Sequence, residues 1–331
     1  MLSALVLGVT LLGAPPRAPE AVSLRTFAAA SPRPAPCRSA SLFDENSLWE
    51  RTRGGVTERY CALLAFGYAR LRSAPNQALE FARQAEKLYP KLAEPRVLAG
   101  RALLRQGDFA GAYASLSSSV SDPARPLGDV AALRELAVAA QFSGHLPESA
   151  AAYRALVPRV AFTSDPTLVR IVTLEAASVL ALEGAAGLSD AILYLSESRR
   201  TPSVPGFDDL ATAMLATSLD RAGNSDQAEV LARGLEGGFA LERFATPRDR
   251  ERLSGTALGG SGAAARAAFE FNERAPNLVD GELHALIGFA ASRRDARLAR
   301  AHLQAYAALK AGPFQAWAQK HLNASSRSGS R

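Results

Sequence analysis

The sequence predicts an all-α fold, a solenoid of stacked antiparallel helix pairs, and three observations predict it. A spacing recurs: Gly107 is followed five residues on by Ala112 and nine on by Leu116. Gly144, Ser149 and Tyr153 repeat the frame, as do Gly223, Ala228 and Ala232. Seven residues before each glycine stands a small residue (Gly100, Ala137, Ala216), and four before stands an apolar one (Leu103, Ala140, Leu219). Alanine and leucine, both strong helix formers, dominate the composition, and proline inside the helical stretches is expected only at first-turn positions such as Pro147. No alternating apolar run of strand length interrupts them. A helix–turn–helix unit of this size cannot bury its own apolar face, so copies have to stack. A non-repeating, alanine-rich helical bundle is the competing reading.

Taken in order, residues 1–14 read as a signal peptide. Leu2 to Leu12 is an apolar run of the right length, too short to span a bilayer, with Gly13-Ala14 after it. No lysine or arginine precedes the run, and Pro15 follows the best cleavage point, so a cytoplasmic, unstructured N-terminus is the alternative. Residues 15–45 form a linker in which Pro15, Pro16, Pro19, Pro32, Pro34 and Pro36 favour extended chain. Cys37 and Cys61 are the only cysteines. In an exported chain they can pair and tie the linker to the first helix. Otherwise Cys61 is a small core residue and Cys37 a thiol.

Residues 46–236 hold the repeats. The first copy shows Leu64, Ala65, Tyr68, Ala78, Ala82, Ala85 and the closing Pro90, with a glycine-free turn at Ser73 to Gln77. The second runs through Gly100, Gly107, Phe109, Ala112 and Leu116. The third has Leu136, Ala137, Gly144, Leu146 and Tyr153, with Ser149 where alanine is expected. Ala177, Leu188, Ala191 and Leu195 mark a weaker fourth copy, and Leu215, Ala216, Leu219, Gly223 and Ala228 a fifth. Residues 237–280 lose the frame. They contain the glycine-rich stretch Gly255 to Gly262, read as a flexible connection because no lysine followed by serine or threonine ends it. Residues 281–323 carry a last helix pair and cap, with Gly288, Ala299, Leu303 and Tyr306 in frame and Arg293-Arg294-Asp295 replacing the turn glycine. Residues 324–331 are expected to be a disordered tail.

As a set, these positions resemble the tetratricopeptide repeat. The 34 residues from Ala78 to Ala112 match its period, although the tryptophan usual in that family is absent. The resemblance implies a right-handed superhelix, with the first helix of each pair on the inner, concave side. It also implies a non-catalytic role in binding protein or peptide partners. By that register the groove would be lined by Phe66, Arg70, Arg101, Arg105, Arg134, Val138, Gln141, Thr217 and Arg221. This surface suits an extended segment with acidic and apolar side chains, unless the arginines merely solvate the helices. Clamps for a C-terminal carboxylate use lysine and asparagine in this family. Ala62, Phe66, Val97 and Arg101 hold the matching positions here, which argues against that subclass.

The net charge of +6 lies entirely after residue 241, where 14 basic residues face 8 acidic ones. Only four of the 38 basic residues are lysine, and none cluster with aromatics as a nucleic-acid surface would require. A basic surface for anionic partners in the C-terminal third stays open as an alternative, as does a helical envelope enzyme or lytic accessory with its site in residues 237–280. No zinc-protease or nucleophile-elbow motif occurs, and two cysteines alone cannot build a zinc site. His284 and His302 could meet across the last helix pair, but no carboxylate-rich motif accompanies them. The expectation is therefore a binding scaffold in the cell envelope, periplasmic or secreted, with no cofactor, no metal, no nucleic-acid partner and no transmembrane span.

Overall fold

The computed structural model describes residue 37 and residues 48–120, 130–235, 239–244, 276–309 and 313–328. The expected signal peptide, the linker apart from Cys37, and the glycine-rich stretch lie outside these residues. The described residues hold no strand. Their helices are α1 (Leu48–Arg70), α2 (Pro75–Leu88), α3 (Glu94–Gln106), α4 (Phe109–Val120), α5 (Val130–Phe142), α6 (Leu146–Val160) and α7 (Pro166–Leu180). There follow α8 (Ala185–Ser198), α9 (Asp208–Arg221), α10 (Ser225–Arg233), α11 (Glu282–Ala291), α12 (Ala296–Ala308) and α13 (Gln315–Ser328). Each odd-numbered helix up to α11 pairs with the helix after it, and the pairs stack as a tetratricopeptide-like array. The last helix runs to Ser328, so the expected tail from residue 324 begins as helix, and α6 carries Pro158 in its last turn, against the expectation of first-turn prolines alone.

Three turn glycines do the same job. Gly107, Gly144 and Gly223 have φ of 75°, 87° and 89°, a left-handed conformation that costs any residue with a Cβ. The next residue's N–H then donates back to the carbonyl five positions earlier: Asp108 to Leu103 (3.0 Å), His145 to Ala140 (2.8 Å) and Asn224 to Leu219 (2.8 Å). This closure satisfies carbonyls that the helix end leaves open and reverses the chain into the second helix. The last pair reaches the same result without glycine. The Asp295 N–H donates to the Ala291 carbonyl (2.9 Å), while its carboxylate accepts from the Leu298 N–H (2.9 Å) and starts α12.

Small residues mark where paired helices touch. A Cβ on Gly100 would lie 2.5 Å from Leu116 Cγ, and one on Gly288 would lie 2.6 Å from Leu303 Cγ. Ser149 is fully buried, and its hydroxyl donates to the Ala137 carbonyl of the paired helix at 2.7 Å. That bond explains a serine at an alanine position.

The core is continuous from α3 to α11, with a separate N-terminal cluster around Tyr60, Leu64, Ala82 and Leu98. Cys37 and Cys61 belong to that cluster and are joined as a disulfide, Cα–Cα 5.8 Å. A third cluster, Ala285, Leu303, Tyr306 and Ala318, seats α13 against the last pair.

Candidate functional site

The first helices of successive pairs are joined by a ladder of polar contacts, one rung per step. Tyr60 of α1 donates to Glu94 of α3 (3.4 Å). Arg101 of α3 pairs with Glu135 of α5 (2.5 Å). Arg134 of α5 pairs with Glu175 of α7 through two bonds of 2.8 and 2.6 Å. Arg170 of α7 reaches Asp208 of α9 (3.2 Å), and Arg221 of α9 grips Glu282 of α11 (2.5 and 3.2 Å). At every step the donor is on the earlier helix and the acceptor on the later one. A one-turn slip at any of the four arginine rungs would separate a buried cation from its carboxylate, so the ladder fixes stacking register.

Glu175 is the busiest rung. It has no exposed surface, yet besides Arg134 it accepts from both the backbone N–H and the side-chain amide of Asn277, each at 2.8 Å. The Tyr153 hydroxyl approaches at 3.5 Å. Burial opposes the charged form of Arg134, but the Glu175 carboxylate outweighs it and holds the guanidinium above its usual range. Burial, reinforced by Glu175, pushes the Tyr153 phenol well above its ordinary value.

Asn277 brings a segment of the chain's own backbone onto this face. Residues 276–279 have no regular secondary structure and lie across α5 and α7. Gln141 donates to the Asn277 carbonyl (3.4 Å), the Val279 N–H donates to the Ser178 hydroxyl (3.3 Å), and Leu278 and Val279 pack against the core. The middle of the face expected to receive a partner is filled by the protein itself.

The expected groove is corrected accordingly. Arg101 and Arg134 are 7% and 6% exposed and Gln141 is buried. Val138 and Thr217 are fully buried, the latter donating to the Ala213 carbonyl (2.8 Å). The Arg221 side chain is 1% exposed, stacked on the rings of Phe314 (4.1 Å) and Trp317 (4.8 Å). These residues are structural. Register against the paired helix placed them outward, but the neighbouring repeat covers them. A signal was present: Glu135 and Glu175 both stand nine residues before a turn glycine, Gly144 and Gly184. The other acids of the ladder, Glu94, Asp208 and Glu282, lack that offset, so the signal marks two rungs of five.

The expected residues that keep open surface cluster on α1. Phe66 is 51% exposed, its ring tilted 6.1 Å from Phe81. Arg70 is exposed, as are Arg59 and Val56 on the same helix, whereas Arg105 of α3 is half-buried. Spacings of three, seven and four residues put Val56, Arg59, Phe66 and Arg70 on one stripe.

Two clusters close the C-terminal end. Asp220 accepts from Trp317 Nε1 (2.7 Å), the Ser225 hydroxyl (2.8 Å) and His321 Nε2 (2.8 Å). These bonds, that to His321 foremost, hold its carboxyl well below the usual range against the cost of burial. The His284 and His302 rings meet through their Nδ1 atoms at 2.9 Å, both buried, with Glu242 3.7 Å from His302 Nε2. Burial and then His284 push His302 down to about 4. Among the described residues no group of three or more His, Cys, Asp or Glu side chains could hold a metal ion, and no helix is long and apolar enough to cross a membrane.

No family profile matches the chain, and no curated protein matches it. Among solved structures, it is similar to a tetratricopeptide repeat protein from Parabacteroides merdae, 17% identical, covering 81% of this chain and 99% of that one with a TM-score of 0.43. It is also similar to the Rap conjugation gene regulator of the plasmid pLS20, solved in complex with the Phr* peptide. That match is 13% identical, covers 88% of this chain and 81% of the other, and has a TM-score of 0.34. Superpositions this loose say nothing about what the chain binds.

Proposed function

We propose that the chain is a non-catalytic scaffold of the cell envelope that holds an extended segment of a partner protein on the exposed stripe of α1. The observation that carries the reading is the contrast between the middle of the ladder and its N-terminal end. Over α5 and α7 the arginines are spent on carboxylates and the chain's own backbone fills the face. On α1, Phe66 and Val56 stay exposed between Arg59 and Arg70. Apolar contacts flanked by guanidinium groups suit a partner whose apolar side chains alternate with acidic ones. Each charge-assisted contact, once buried, contributes about 1.5–3 kcal/mol. The Cys37–Cys61 bridge favours an oxidising compartment, in keeping with the N-terminal apolar run as an export signal.

The test is capture from the host envelope with the full chain as bait, repeated with Phe66→Ser/Arg70→Glu. Both side chains are exposed, so the variant keeps its melting curve. The reading requires a protein that wild type retains and the variant loses by at least tenfold in affinity. A partner held equally by both would move the binding surface off α1.

A further inference from the structure

A cavity of about 440 Å³ opens at the C-terminal end, between α10, the end of α11 and α13. Its volume falls within the range of small-molecule sites, about 300–1,000 Å³. Ala232, Phe289 and Ala290 form an apolar wall. The lining also holds Arg233, Arg293, Arg294 and Lys320, with Asp220 and Glu229 as its carboxylates. Glu229 is shared by Arg293 (2.5 and 2.6 Å) and Arg233 (2.5 Å), so one carboxylate faces two guanidinium groups. Arg294 donates to the Arg233 carbonyl (2.5 Å). Asp220 is already satisfied by Trp317, Ser225 and His321.

Helices α10 and α11 both end here, and each C-terminus brings roughly half a negative charge. Four cations set against two carboxylates and two helix ends leave a surplus of about one positive charge, which matches a monoanion. We propose that this cavity binds a small carboxylic acid with an apolar body, a site separate from the α1 stripe. The carboxylate lies on Arg293 and Lys320, and the body on Phe289 and Ala290. Arg293 is 65% exposed as a side chain and Lys320 is exposed, so both can turn toward an incoming anion without breaking the core.

Phenylacetate is the probe and phenylacetamide its uncharged match in shape, followed by saturation-transfer NMR on the full chain. For a ligand of this size the dissociation constant should be on the order of 1 mM, weakening as salt is added. The amide should bind at least tenfold more weakly. Arg293→Gln/Lys320→Gln should lose at least tenfold with an unchanged melting curve, while Arg200→Gln, an exposed change on another surface, should leave binding intact. Equal binding of acid and amide, binding indifferent to the double change, or no saturable binding would overturn the proposal.

Discussion

Arg134→Met tests whether the ladder holds the array in register. The Arg134 side chain is 7% exposed and that of Glu175 is 0% exposed. Two unit charges about 4 Å apart attract by about 4 kcal/mol at an effective dielectric constant near 20, but both have been desolvated. Replacing a whole buried pair with well-packed neutral groups is therefore often nearly free, whereas removing one partner typically costs about 3–5 kcal/mol. Arg134→Met leaves Glu175 charged, with only the Asn277 amides and the distant Tyr153 hydroxyl. Glu175→Gln alone takes from buried Arg134 the carboxylate that grips it through two bonds. The double variant removes both charges, and Gln keeps an acceptor for Asn277. The expectation is about 3–5 kcal/mol lost in Arg134→Met, comparable loss in Glu175→Gln, and recovery of at least about 2 kcal/mol in the double variant relative to the sum. Repeat arrays can unfold in parts, so native-state hydrogen exchange of α5 and α7 amides should accompany the urea midpoint. A single-variant loss below about 0.5 kcal/mol, or additive effects, would refute the reasoning.

Gly100→Ala gains about 1 kcal/mol of helix propensity but sets a Cβ 2.5 Å from Leu116 Cγ; overpacking costs about 1–3 kcal/mol. A lower melting temperature is expected, and a rise would mean that the α3–α4 contact yields freely. His302 binds its proton less readily folded than unfolded, so its contribution to stability is complete above about pH 6.5 and is lost as pH falls toward 4. Acidification through that window should cost on the order of 3 kcal/mol at most, and His302→Gln should flatten the urea-midpoint slope there. Reducing Cys37–Cys61, which closes a loop with a sequence separation of 24, should cost about 3 kcal/mol. An α1–α2 exchange rate indifferent to reductant would contradict this.

Legibility in the sequence followed the range of the interaction. The turns at Gly107, Gly144 and Gly223 were legible because a left-handed residue closing a helix leaves a local mark. Gly100, Leu116, Ala228 and Leu303 were legible as core because the helix pair is a near neighbour in sequence. The pairing within the rungs was not, because Arg134 and Glu175 lie 41 residues apart and on different pairs. An arginine facing the next repeat has the same local pattern as one facing water. The segment around Asn277 was out of reach for a further reason: no repeat frame passes through residues 237–280, so nothing indicated that it lies over α5 and α7.

Hydrogen exchange of the full chain with its captured partner bound tests the central claim most directly. The account predicts added protection along α1, from Val56 to Arg70, with exchange around Glu175 and residues 276–280 unchanged. Protection centred on Glu175, with faster exchange at Asn277 and Val279 as the partner displaces the chain's own segment, would contradict it.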